Sequence, residues 1–365
     1  MRGIYELRGK QLTYCMAAPG KPRPKSFTTP KGSGQTLVRL EKFSTGEQAI
    51  EKMLRKNRIS HFKDSIGWIS HVTLDPKHKP NELMPLIVKL KKLRTLYLTA
   101  DHLSDENVQR IGKMTSLRSL KIFSRSLTDD QLNILSKLTD LRTVALYGND
   151  LGDNTLARLK SASNIYAIRL KDSRVTNAGL DHLRAFKHLD SIQLPGSNIT
   201  DEALTKLVTL PHVSYVNLAR TRVTNKGLVT LAKIKRLSAV ELTETSVTNK
   251  GLTALAHAKR LATLRLAGTN IGDPGIEALA SLKNMQVLDL TRTKITDQSL
   301  KLIGQSFPKL REIKLRHNPQ LTSKGLLHLT GLKKLRWVYL TKRQFDSNTI
   351  IRLKYSRRHL TVLQR

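Results

Sequence analysis

The sequence has a single cysteine, Cys15, among 365 residues. One thiol excludes an internal disulfide framework and a cysteine-based metal site. Aromatic residues are scarce, at 5%, so rings cannot dominate the core. No stretch approaches the 18 uncharged apolar residues of a membrane-spanning helix. The N-terminus, MRGIYELRGK, lacks the apolar run of an export signal. As written, the chain is expected in the cytoplasm with no membrane partner, and outside the cell if a leader lies upstream of Met1. Carboxylates are also few, 28 Asp and Glu against 64 Lys and Arg, for a formal charge of +36. The excess is no basic tail, since residues 1–92 carry +12 and the remainder +24. The eleven histidines show no H-x-x-x-H and no acidic partner at ligand spacing. There is no glycine-rich phosphate loop and no nucleophile elbow. No catalytic residue, metal or cofactor is expected.

What the chain has is leucine, and a period. Leu93, Leu117, Leu141, Ile165, Leu189, Val213, Leu237, Leu261 and Met285 succeed one another in steps of 24 residues, and steps of 25 reach Leu310, Leu335 and Leu360. The unit opening at Leu261 shows the pattern: Leu261, Leu264 and Leu266, then Thr269, Ile271 and Asp273, then Ile276, Leu279 and Leu282. The L-x-L part alternates with period two and predicts a short strand. The L-x-x-L-x-x-L part predicts a helix with one buried stripe. Between them, T-D or T-N pairs such as Thr200-Asp201, Thr224-Asn225 and Thr296-Asp297 are expected to cap the helix N-terminus. One strand and one short helix cannot bury their apolar faces alone, whereas stacked units share a continuous core.

These residues resemble the leucine-rich-repeat family from Leu93 to about His359. The resemblance implies an α/β repeat fold: a right-handed solenoid with a concave parallel sheet of about twelve strands and convex helices. It implies a scaffold more than a chemistry. The family's asparagine position is mostly Ser or Thr here (Ser173, Ser197, Thr221, Thr245, Thr269, Thr293), and Arg125 and Arg343 interrupt that polar ladder. The T-D-x-G-L segments also resemble the repeats of F-box substrate receptors and of many bacterial repeat proteins.

The organisation expected is fourfold. Residues 360–365 begin a terminal strand, its edge guarded by Arg352, Lys354, Arg357, Arg358 and Arg365. Residues 93–359 form eleven repeats. Residues 46–92 form an α/β cap, with a helix over Glu47–Leu54 and a first strand at Ile69, Val72 and Leu74. Residues 1–45 fall outside the repeat, with short strands at Ile4–Leu7, Leu12–Met16 and Thr36–Leu40. Their run G-I-Y-E-L-R-G-K-Q-L-T-Y-C, P-G-K-P-R-P and G-S-G-Q-T-L resembles the closing strands of a small lipocalin-like domain of planctomycete bacteria. Three strands cannot close a barrel, which implies a remnant of that domain.

Strand residues pointing away from the core define a central column: Tyr97, Lys121, Ala145, Arg169, Gln193, Asn217, Glu241, Arg265, Asp289, Lys314 and Tyr339. The leading reading is a non-catalytic scaffold that binds a protein or peptide over Tyr97, Phe123 and Tyr147, flanked by Lys121, Arg169 and Lys171, because aromatic and basic anchors are typical of interfaces. The bland alternative is that residues 1–45 cover these rings. A second reading is polyanion binding along the basic edges, through Arg220, Arg222, Arg292, Lys294 and Arg316. A third, an F-box-like receptor, needs a three-helix module that residues 46–68 do not spell.

Overall fold

The structure, a computed structural model, describes residues 46–356 and 359–364 with their side chains, and the backbone of 3–8, 11–17, 35–41 and 45. Strands β1 (Gly3–Arg8), β2 (Gln11–Ala17) and β3 (Gln35–Glu41) pair antiparallel in a sheet of their own. The Pro/Gly-rich segment between β2 and β3 lies outside the described residues. So do Arg357, Arg358 and Arg365 of the expected edge guard, and any covering of the concave rings by residues 1–45.

A second sheet holds fourteen strands in sequential order. They are β4 (Ser60–Lys63), β5 (Ile69–Leu74), β6 (Thr95–Thr99), β7 (Ser119–Phe123), β8 (Thr143–Tyr147), β9 (Ala167–Lys171), β10 (Ser191–Gln193), β11 (Tyr215–Asn217), β12 (Ala239–Glu241), β13 (Thr263–Arg265), β14 (Val287–Asp289), β15 (Glu312–Lys314), β16 (Trp337–Leu340) and β17 (Thr361–Gln364). From β5 onward every neighbour is parallel, while β4 is the antiparallel arm of a hairpin with β5. The count therefore exceeds the twelve or so expected. Strand β4 escaped because Ser-His-Phe-Lys carries no inward alternation, its one large apolar side chain, Phe62, being 61% exposed. The hairpin closes through the Asp64 side chain, which accepts from Ile66 N (3.1 Å) and Trp68 N (3.0 Å).

Leu96, Leu120, Leu194 and Leu266 are fully buried, and one core runs unbroken from Ile50 to Leu360. The register read from the repeat is the register of the fold. On the convex side some units carry α-helices (Asn225–Leu231, Asn249–Leu255) and others 3-10 turns (Gln131–Lys137, Ala178–Ala185) where helices were expected. A stripe spaced three residues apart, such as Leu180, Leu183 and Phe186, is buried equally well by three residues per turn.

The T-D and T-N pairs act mainly between repeats. Thr224 donates its N–H to Asp201 Oδ1 (2.8 Å) and its hydroxyl to Oδ2 (2.6 Å). Asn225 repeats the rung one unit on, its Oδ1 accepting from Thr248 N (2.8 Å) and its Nδ2 donating to Thr248 Oγ1 (2.9 Å). Asp273 does the same toward Thr296 and also accepts from Ser299. Local capping by the Thr side chain is confined to some units: Thr224 accepts from Lys226 N and Thr296 from Gln298 N, but Thr200, Thr248 and Thr322 make no such bond. The capping expectation was thus correct for part of the set and missed the larger role.

The turn after the strand exists in two forms, and the switch falls at β9. From Asp172 on, the seventh residue after each opening leucine takes a positive φ (Asp172 51°, Gly196 75°, Arg220 56°, Glu244 54°, Gly268 68°, Arg292 54°). That swings the next residue inward, so the Ser197, Thr221, Thr245 and Thr269 hydroxyls donate to carbonyls three residues earlier at 2.5–2.7 Å. In the three preceding units the residues at the seventh position, Ala100, Ser124 and Gly148, are buried. Ala100 and Ser124 continue the sheet, donating to Phe123 O and Tyr147 O. The ladder positions Asp101, Arg125 and Asn149 are exposed. At Arg343 the positive φ (62°) comes one residue late, and Gln344 donates to Asn318 O and Leu321 O instead.

Candidate functional site

The wide N-terminal part of the sheet gives the concave face an extra row. Strands β6 to β9 each run five residues, whereas β10 to β15 run three. In the central column Tyr97, Lys121, Ala145 and Arg169 face one another strand by strand, as do Thr99, Phe123, Tyr147 and Lys171 in the added row. The structure brings Tyr97 and Phe123 together diagonally, their ring centroids 5.5 Å apart and tilted by 30°. Lys121 Nζ lies 5.6 Å from the Tyr97 ring and Lys171 Nζ 5.2 Å from the Tyr147 ring, within cation–π range. Tyr147 neighbours Phe123 in register but makes no ring pair with it among the described residues. Arg169, at the β9 end of the central column, is exposed.

Farther along, the face becomes small and self-satisfied. Ala219, Thr243, Ala267 and Thr291 occupy the row of Phe123. Of the alternating charges, Glu241 pairs with Arg265 (3.6 Å) and Asp289 with Lys314 (3.3 Å), and Asn217 Nδ2 donates to Glu241 (3.3 Å). Arg265 and Asp289 form no ion pair with each other among the described residues, so these four charges make two separate pairs. Near the C-terminal end Lys314 and Arg316 both lie over Tyr339, at 5.6 and 5.2 Å. Sequence reasoning missed this second cation–ring cluster; its signal was the Tyr339 position at the end of the column, beside the basic pair.

The residues named for polyanion binding divide. Arg220 pairs with Asp172 (2.8 Å) and Arg292 with Glu244 (3.9 Å), each spanning two repeats. Arg316 is spent on Tyr339. Only Arg222 and Lys294 are exposed without an ion pair among the described residues. Among those residues no three His, Cys, Asp or Glu side chains gather as metal ligands, and no helix is long and apolar enough to cross a membrane.

A parallel sheet lined by one strand per repeat and backed by short helices defines a class, the leucine-rich-repeat solenoid. The model for a leucine-rich repeat region matches residues 53–259, more than half of the chain, and a second leucine-rich-repeat model matches 261–280 and 281–304. The chain belongs to the leucine-rich-repeat family. It is similar in fold to an internalin, InlF, of Listeria monocytogenes str. 4b F2365, with a TM-score of 0.54 and 18% identity over 87% of this chain and 93% of that one. Internalin C2 of the same strain matches with a TM-score of 0.43 and 21% identity over 59% and 84%. No curated protein sequence matches this chain.

Proposed function

We propose that this protein is a non-catalytic scaffold that binds a protein or peptide on the N-terminal part of its concave sheet. One observation carries the reading: the half-buried Tyr97–Phe123 ring pair, with Tyr147 beside it and Lys121 and Lys171 poised over the rings, sits where the sheet is widest. No core packing accounts for these side chains, since they leave the sheet on the face opposite the leucines. The partner expected there presents an apolar anchor beside carboxylates, which Lys121, Arg169 and Lys171 would meet.

The test is Phe123→Ala. A central aromatic anchor contributes about 2 kcal/mol on truncation, a loss of roughly thirtyfold in affinity. A partner recovered with the intact protein should bind the variant that much more weakly, with the melting temperature nearly unchanged. A variant that melts much lower and still binds would overturn the reading, because the ring would then be packed against the protein itself.

A further inference from the structure

The two edges of the sheet differ, and the difference identifies a second surface, independent of the concave reading. On the edge where strands end, cations face acids, as in Arg220–Asp172, Arg292–Glu244 and Arg174–Asp150. On the edge where strands begin, acids are almost missing. From β10 to β16 the two residues before each opening leucine and the one after it include Lys or Arg in every repeat but that of Pro211-His212, and one carboxylate, Asp190. Asp190 accepts from Ser214 (2.6 Å). The basic residues here, Lys235, Arg236, Lys259, Arg260, Lys333 and Lys334 among them, are exposed, and none is ion-paired among the described residues. Where one does bond, as Lys259 does with Ser281, the partner is neutral.

Planar rings accompany the cations. Tyr166, 49% exposed, precedes the row in the same backbone hydrogen-bonded file, and Trp337, 39% exposed, opens β16 next to Arg336, the file's member there. Within it His188 and His212 stack, centroids 6.1 Å apart and 25° between planes. They border a cleft of about 630 Å³ with Arg184, Lys187, Phe186 and Pro211. Tyr166 to Trp337 covers seven inter-strand steps, roughly 34 Å at ~4.8 Å each. A periodic line of cations that tracks a backbone, with rings on which bases stack, is the physical design of a single-strand binder. Between the cations stand Ser214, Ser238 and Ala262, too small to anchor an acidic peptide.

We propose that this strand-start edge binds single-stranded nucleic acid. The test is fluorescence anisotropy of a labelled oligothymidylate against the full chain, titrated with salt. Joint reversal of Lys235, Arg236, Lys259 and Arg260 to Glu should weaken binding more than tenfold. With about 0.7 counterions released per neutralised phosphate on a single strand, it should also flatten the log–log salt slope by about 3. Reversal of Lys333 and Lys334, a separate variant with its own melt, should act in the same direction. Arg222→Glu with Lys294→Glu, on the other edge, should change affinity by less than threefold. Tyr166→Ala and Trp337→Ala should each cost about tenfold for the oligonucleotide and leave heparin binding unchanged. No binding at low salt overturns the proposal. So does charge reversal that weakens heparin and oligonucleotide in parallel while both ring variants are silent, which would mark a surface for polyanions in general.

Discussion

Gly251→Ala should destabilise the protein, although alanine is the better helix former. Gly251 sits in the helix Asn249–Leu255, with φ in the ordinary range, where alanine would contribute about 1 kcal/mol by propensity. A Cβ there would lie 2.6 Å from Asn225 Oδ1, 2.8 Å from Leu228 Cδ1 and 3.2 Å from Asn225 Cα. The leucine methyl can yield, but the Cα is backbone and the amide is committed to Thr248 through two hydrogen bonds. Overpacking costs about 1–3 kcal/mol, and loosening the two bonds about 0.5–1.5 kcal/mol each. The balance is a net loss of roughly 1–5 kcal/mol, the propensity gain included. Gly331 is the control: it ends a 3-10 turn with nothing within 4 Å of its Cβ position, so Gly331→Ala should be neutral or raise stability by up to about 1 kcal/mol. Thermal and urea melts followed by circular dichroism read both variants. The cost of Gly251→Ala should shrink in an Asn225→Ala background, since contacting residues do not add. A rise in melting temperature for Gly251→Ala, or full additivity with Asn225→Ala, would refute the inter-repeat rung as the cause.

Two further outcomes follow from the rungs and the concave pairs. Burial pushes the Asp273 carboxyl up, but the bonds from Ser299 and Thr296 outweigh it and hold the folded value below the ordinary 3.8. Its stabilisation is therefore complete well above pH 4 and drains as pH falls through the folded value; Asp273→Asn, the residue already at positions 225 and 249, should shrink the melting-temperature difference between pH 7 and pH 3. Glu241 and Arg265 are 21% and 30% exposed at 3.6 Å, so Arg265→Ala should cost less than about 1 kcal/mol, with added salt narrowing the gap in melts of the two proteins.

The repeat register was legible because a buried leucine recurs at a fixed interval, and any slip would carry the whole L-x-L set to the wrong face. That same regularity puts Tyr97, Phe123 and Tyr147 on the concave side. Partners one repeat away were not legible. Asp201 and Thr224 stand 23 positions apart, yet each also adjoins a consensus partner of its own, Thr200 or Asn225, so the motif read as a local cap. The change of turn at β9 was half visible: Arg125 interrupts the ladder, but Asn149, which fits the family pattern, sits in the same wide turn and is exposed. Only the backbone, which takes positive φ from Asp172 onward, separates the two forms.

Two of the ion pairs on the strand-end edge, Arg220–Asp172 and Arg292–Glu244, pass over a glycine. Asp172, Gly196 and Arg220 occupy the same turn position in successive repeats, as do Glu244, Gly268 and Arg292. A Cβ at Gly196 would lie 2.5 Å from Asp172 Oδ1, and one at Gly268 would lie 2.9 Å from Glu244 Cγ. Each acid therefore passes over a glycine to reach an arginine two repeats on, and any other residue between them would obstruct it. The positive φ also suits a glycine, which adopts that conformation without the strain a side chain brings. No such triplet of acid, glycine and arginine stands on the strand-start edge, where the turn position has no counterpart. A formal charge of +36 is thus unevenly screened: the turn side is drawn toward neutrality by its own carboxylates, and the strand-start side presents its cations to solvent. Nothing in the core requires that division, which makes the strand-start edge the part of the surface whose composition calls for a ligand.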